Sequence, residues 1–353
     1  MEKNMSSLQQ LSLRQSHVRE RRADRSQERL RAYEASLLSE LFSRNGREDG
    51  VQRATPPGYA YVPAASMVPV FMDTSGPVMQ IAAHPGDGPD FFYATYLKMA
   101  GTRQDRNEYH EVLLTDGEGG VDGWPPERTR QVRIAEAYAG AEMVGSRLHF
   151  LGYPDGSLAS LAEEKRSQLI TMLAALIGDI QPCLLVVHPP KNDHLDHAHS
   201  FLLTLAALEL HARAGGSAPT LLIHDVEFGL QQESICMHST LDPHTHLYPL
   251  HTPGLLVDIS STHQTAQCAL HKHKTQMFDP VSGQPKAYAD LIDTLARVRG
   301  LQLITGEMAQ LPRGQGFSHV VIPGVTSEHN ILLQQLPESS IYLLSPTCRA
   351  AKR

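Results

Sequence analysis

With 353 residues, 41% of them hydrophobic and 20% charged, the chain has the composition of an ordinary globular protein and more length than one core usually needs, so one large domain with an appendage is expected. A formal net charge of -7 argues against nucleic acid as the main partner, because neutralising phosphates takes a basic surface. No run of eighteen apolar residues occurs, and the first thirty are polar and arginine-rich without the apolar stretch of a secretory signal; no transmembrane segment and a cytoplasmic address are expected.

Residues 1 to 53 interleave arginine with glutamate and place Leu30, Tyr33, Leu37, Leu38 and Leu41 at helical spacing, which predicts an amphipathic helix docking on the main domain or mediating oligomerisation. Residues 54 to 76 hold Pro56, Pro57, Gly58, Pro63 and Pro69 and read as a linker. The main domain then runs from 77 to 345. Its strands are expected at Val78 to Ala83, Glu111 to Thr115, Leu148 to Leu151, Cys183 to His188, Thr220 to His224 and Gly254 to Ile259. Helices are expected at Thr129 to Val144, Leu161 to Ile180 and Ser200 to Arg213. Strand and helix alternating in this way predict an α/β fold, a Rossmann-like parallel sheet with helices on both faces, whose ligands bind beyond the carboxyl ends of the strands.

The chemistry gathers at those ends. Strand one runs into His84-Pro85-Gly86-Asp87-Gly88, an imidazole and a carboxylate three residues apart on a tight turn. Strand four runs into a stretch ending His194-Leu195-Asp196-His197, whose two histidines share a face if they open the next helix. A catalytic zinc takes three such ligands and keeps one position open, and His84, Asp87 and His197 supply them from two strand ends. The four cysteines, Cys183, Cys236, Cys268 and Cys348, form no Cys-x-x-Cys pair and read as buried apolar residues. His238, His244, His246 and His251 crowd a proline-rich stretch and read as a polar loop.

Ala-His-Pro-x-Asp after strand one and His-x-Asp-His after strand four resemble the signature of the PIG-L / LmbE-like deacetylases. Leu113 to Gly120 is similar to that family's threonine- and glycine-rich loop, Arg133-Ile134-Ala135-Glu136 to its Arg-x-x-Glu helix, Phe150 to Gly156 to its third strand end, and Ala269 to Gln276 to its late Ala-Leu-x-x-His-x-Ser/Thr-Gln helix. The resemblance implies one Zn2+ per chain, held by His84, Asp87 and His197, and removal of an acetyl or related acyl group from an amino sugar or glycoconjugate. It implies that His194 stabilises the oxyanion or protonates the leaving amine with Asp196 beside it, that Asp155 and Arg133 grip the sugar, and that His273 lies near the site while His271 is exposed.

One departure bears on turnover. The family's general base is the first aspartate of His-Pro-Asp-Asp, and here that position is Gly86; the next acidic position is Gly88. General acid/base catalysis contributes about 100- to 10,000-fold, so either a slow hydrolase or a relative that binds metal without efficient turnover follows. Substitutes for the base are Asp87 itself with Asp90 ligating in its place, or Asp116 or Glu118 from the neighbouring loop. Phe91, Phe92, Tyr93 and Ala94, standing where the family opens its helix with small residues, are expected to narrow the pocket.

Overall fold

The computed structural model describes residues 76–101, 108–189, 194–224, 255–286, 292–297, 300 and 314–320. The amphipathic helix and all but the last residue of the expected linker lie outside them, as do Cys236, Cys348 and the histidine-rich stretch of 238 to 251.

Five strands, β1 (Val78–Ala82), β2 (Tyr109–Thr115), β3 (Ser146–Tyr153), β4 (Leu184–Val187) and β5 (Thr220–His224), lie parallel in the order β3-β2-β1-β4-β5. Two more extend the sheet beyond β5. β7 (Gly314–Val320) runs antiparallel to β5, and β6 (Leu255–Asp258) runs antiparallel to β7. The expected parallel, helix-flanked sheet is present, with β7 as an antiparallel addition that the sequence did not announce.

The helices are α1 (Asp87–Phe91), α2 (Tyr93–Gly101), α3 (Pro126–Val144), α4 (Glu163–Ile180), α5 (Leu195–Arg213), α6 (His263–Leu270) and α7 (Lys274–Met277). α3 begins on Pro126 and stops at Gly145 in the left-handed region, the two residues best suited to those ends. Side chains alternate across each strand, so Met79 and Ile81 of β1 and Val112 and Leu114 of β2 pack with Leu169, Leu173 and Ile177 of α4 and Phe201 of α5. On the other face Val78, Tyr109, Leu184 and Val186 meet Phe92, which joins α1 to α2, Tyr96 and Met99 of α2, and Ala266 and Ala269 of α6. β4 and β5 are buried along their whole length, which explains why both read as continuous apolar runs. Among the described residues no helix is long and apolar enough to cross a membrane.

Two expectations fail on packing. Cys268 is exposed and Cys183 only half-buried, because α6 turns Ala266, Ala269 and Leu270 inward and Cys268 lies off that stripe. The bulk of Phe92 and Tyr93 goes into the core under the sheet.

One carboxyl sits inside that core. Glu111 of β2, 2% exposed, accepts a hydrogen bond from the Tyr93 hydroxyl at 2.6 Å, and burial pushes its pKa from 4.5 up to about 7. A Cβ at Gly88 would stand 2.5 Å from its Oε1, so the glutamate occupies the space a side chain at 88 would need. Because the folded pKa is raised, the unfolded chain ionises Glu111 while the folded chain keeps its proton; stability therefore falls as pH rises from 4.5 to about 7, by about 3 kcal/mol, and levels off above. Glu111→Gln removes that loss. In urea denaturation its stability relative to wild type is expected to rise between pH 5 and 7.5, and parallel pH profiles would refute the burial account.

Candidate metal centre

Beyond β1 the chain reverses over His84-Pro85-Gly86-Asp87. The Asp87 N–H donates to the His84 carbonyl at 3.3 Å, and the His84 N–H donates to Asp87 Oδ2 at 2.7 Å. Gly86 has φ +114° and ψ -22°, close to the third residue of a type II turn, which needs glycine there and favours proline before it. The turn presents the Pro85 carbonyl to Arg133 Nη2 at 2.6 Å, while Arg133 Nη1 donates to the Gly117 carbonyl at 2.9 Å. One buried guanidinium thus ties the turn to the glycine-rich loop after β2.

Beyond β4, the next parallel strand, His194 caps α5: its Nδ1 accepts from the Asp196 N–H at 3.3 Å. α5 starts at Leu195, five residues before the sequence pattern suggested, and its first turn carries His197 inward. His84 Nδ1 then lies 3.2 Å from His197 Nε2 and 3.6 Å from Asp87 Oδ2, and His197 Nε2 lies 3.6 Å from Asp87 Oδ1. Zinc bonds of about 2.0–2.1 Å in a tetrahedron separate neighbouring ligand atoms by about 3.3–3.4 Å, so the two ring nitrogens are spaced as ligands of one ion, and each is faced by a different oxygen of the Asp87 carboxylate. All three residues are buried, at 5%, 7% and 6% exposure.

Three triads of possible ligands have one donor atom each within 4.8 Å of one another around these groups: His84, His194 and His197; Asp87, His188 and His197; and His84, Asp155 and Asp196. The Asp87–His188–His197 triad fits an ion poorly. The rings of His188 and His197 stack at 3.9 Å with 17° between planes, so their in-plane lone pairs run side by side instead of converging. In the His84–Asp155–Asp196 triad, Asp196 already accepts from the N–H groups of Gly156 at 2.7 Å and Leu158 at 3.0 Å.

Asp155 and Asp196 serve the first histidine instead. His84 Nε2 stands 3.1 Å from Asp155 Oδ1 and 3.4 Å from Asp196 Oδ2, without aligning its N–H on either. Burial works to lower the His84 pKa, but Asp155, Asp196 and Asp87 outweigh it and hold the imidazole well above its ordinary value. Burial likewise works against the Asp87 carboxylate, and the charges of His197 and His188 outweigh it, keeping Asp87 well below the usual range. For His197 burial wins, followed by repulsion from His188, and its pKa falls well below ordinary.

The structure brings together His84, Asp87, His194, Asp196, His197 and Asp155. The donors of Arg133 described above go to backbone carbonyls, and Asp155 also accepts from the Gly119 N–H at 3.2 Å. Asp196 points its carboxylate at His84 and the loop after β3. Asp116 and Glu118 are both ion-paired with Arg130. Asp90 is buried on α1. His273 is 1% exposed and neither ring nitrogen has a hydrogen-bond partner; burial, with Arg133 adding to it, brings its pKa down to about 3. A Cβ built on Gly86 would lie 3.5 Å from its Nδ1, which puts this imidazole against the position left without a side chain. Glu136 holds the segment in place by accepting from the N–H and hydroxyl of Thr275 at 2.9 and 2.6 Å. His271 is exposed, as expected.

Residues 79–208 match the model of the PIG-L family, described as GlcNAc-PI de-N-acetylase. This segment is a PIG-L domain. Both ligand-bearing turns, the Arg-x-x-Glu helix and the β3 end fall inside it, whereas His273 lies beyond. Among solved structures, the PIG-L domain and its surroundings are similar in fold to the 4-carboxy-2-hydroxymuconate hydratase GalB of Pseudomonas putida KT2440, with a TM-score of 0.54 and 18% identity over 70% of this chain and 97% of that one. They are also similar to the N,N'-diacetylchitobiose deacetylase of Pyrococcus horikoshii, with a TM-score of 0.52 and 20% identity over 75% of this chain and 91% of that one. No curated protein matches the chain in sequence.

His188 and His224 were not anticipated, although each ends a strand that the sequence marked. Their signal was an imidazole on the last residue of an otherwise apolar run. Arg133 yields a test of how the PIG-L turn is held: Arg133→Lys keeps the charge but cannot reach both carbonyls, and a loss of about 1.5–3 kcal/mol in urea denaturation is expected. A variant as stable as wild type would show that the clamp contributes nothing.

Proposed function

We propose that the chain is a zinc-dependent amide hydrolase that removes an acetyl or related acyl group from the nitrogen of an amino sugar or sugar conjugate, with His84, Asp87 and His197 holding the metal. The observation that carries this reading is the convergence of those three buried residues, with His84 Nδ1 and His197 Nε2 3.2 Å apart and an Asp87 carboxylate oxygen 3.6 Å from each, at the carboxyl ends of β1 and β4 in a segment that matches a de-N-acetylase family. A fold neighbour named as a diacetylchitobiose deacetylase agrees with an N-acetylated sugar as substrate. The fold by itself does not choose the reaction, since a hydratase has it too.

When bound, zinc supplies a Lewis acid for the acyl carbonyl and brings the pKa of a water down toward about 7. The chain's residues do the remainder. His194 is half-buried, its ring 4.5 Å from that of His84 and 5.0 Å from that of His197. With Nδ1 accepting from the Asp196 N–H, the neutral imidazole carries its proton on Nε2 and can give it to the oxyanion or to the departing amine. Asp155 and Asp196 hold His84 with Nδ1 toward the other two ligands.

A second reading rests on Gly86: the turn holds no carboxylate where the family keeps its general base, which favours a relative that binds metal but turns over slowly. Acetate release from N-acetylglucosamine conjugates, measured beside zinc stoichiometry, separates the two. The hydrolase reading expects turnover, loss of both zinc and turnover in His197→Ala, and about a 100- to 10,000-fold rate loss with zinc retained in His194→Ala. Stoichiometric zinc without turnover on any N-acyl sugar supports the second reading, and a protein that takes up no zinc defeats both.

Because His84 is held above its ordinary pKa in the metal-free protein, zinc must displace a proton from it. Apparent zinc affinity should therefore rise with pH until that raised pKa is passed, and calorimetry in buffers of different ionisation enthalpy should register proton release. Uptake without proton release would contradict the assignment of His84.

A further inference from the structure

Asp87 is the first residue of α1, a helix of five residues, too short to hold itself by its own hydrogen bonds. Two histidines beneath it, from the ends of neighbouring strands, have no part in the reaction as described. His188 follows β4 and His224 ends β5, at 0% and 2% exposure. His188 Nε2 lies 3.0 Å from Asp87 Oδ2, and its Nδ1 lies 3.0 Å from His224 Nε2. The His224 ring lies flat on Phe91, with centroids 4.2 Å apart and 4° between planes. Phe91 is the last residue of α1. Two hydrogen-bonded imidazoles therefore grip both ends of the element that carries the carboxylate.

The grip also distinguishes the two oxygens of Asp87. Oδ2 is engaged by the His84 N–H at 2.7 Å and by His188, which leaves Oδ1 as the atom facing His197 Nε2 at 3.6 Å. The Ala83 N–H points at the same His188 nitrogen at 3.1 Å, so Nε2 either donates to the carboxylate or accepts from the amide. The charged acceptor is the stronger partner, which puts the proton on Nε2 and leaves Nδ1 to accept from His224.

We propose that His188 and His224 are positioning residues for Asp87: His188 orients the carboxylate through Oδ2, and His224 fixes His188 and, through Phe91, the far end of α1. The inference rests on the reading of His84, Asp87 and His197 as the metal-ligating set. Partners that orient a ligand in this way typically affect metal affinity by about 10- to 100-fold.

The test is a Zn2+ titration against a chromophoric competitor on the full chain, with the visible spectrum of the Co2+-substituted protein as a second readout. His188→Leu is expected to bind Zn2+ about 10- to 100-fold more weakly and to change the Co2+ absorption envelope. His188→Gln, which keeps a donor near the Nε2 position, should recover most of the affinity, a rescue that loss of packing alone would not show. His224→Gln and Phe91→Leu should each weaken Zn2+ binding by about 3- to 10-fold, and they decide the matter if His188→Leu does not fold. Folded variants with wild-type Zn2+ affinity and an unchanged Co2+ spectrum would overturn the inference. Absence of Zn2+ binding by the wild type would instead overturn the metal-site reading beneath it.

Discussion

The ring nitrogens of His84 and His197 lie 3.2 Å apart, each with an oxygen of the Asp87 carboxylate at 3.6 Å, where water has little access. Such an arrangement is repulsive unless protons or a cation stand between the donors, because the medium that would screen them is excluded. Much of the surrounding structure meets that constraint. The carboxylates of Asp155 and Asp196 sit behind the first histidine, His188 sits behind the aspartate, and Arg133 reaches under the turn to fasten the Pro85 carbonyl. Many neighbours thus oppose dispersal of the cluster.

The sheet explains how two remote stretches of chain reach one point. β1 and β4 are adjacent and parallel although a hundred residues separate them, so their carboxyl ends open side by side. The turn after β1 brings Asp87 back toward His84 by closing on itself, and the cap of α5 brings His197 inward one turn after His194. His84 and Asp87 stand on a tight turn and the helix it opens, and His197 on the first turn of α5. That suits chemistry in which a displacement of an ångström matters.

Much of this was legible in the sequence. The strands β1 to β5 announced themselves as short apolar runs, and the proposed ligands His84, Asp87 and His197 stood out because they follow the ends of two of those runs. β7 could not be read in the same way: Gly314-Gln315-Gly316-Phe317-Ser318-His319-Val320 has no sustained apolar pattern, and its place is fixed by pairing with β5, a partner far off in the chain. Roles were harder to read than positions. A sequence shows the charges of Arg133 and Asp155 but not their partners: Arg133 donates to two backbone carbonyls and stands 3.8 Å from Asp155, which also faces His84. Asp116 and Glu118, possible replacements for the base, face a common arginine for the same reason. His188 and His224 escaped notice because a histidine after valines or isoleucine carries no spacing signal.

The Pro85-Gly86 turn has a consequence for how such a site can change over time. A carboxylate introduced at position 86 by altering that residue alone is strained, because φ +114° is a conformation L side chains rarely adopt and the peptide before it is pinned by Arg133. An acid there without strain needs the peptide unit rotated the other way, and that rotation breaks the buried charge-assisted bond from Arg133 to the Pro85 carbonyl. Position 86 is thus fixed by backbone geometry as much as by the side chain it lacks, and a new acid near the three donors is more readily gained from a neighbouring segment than from this turn.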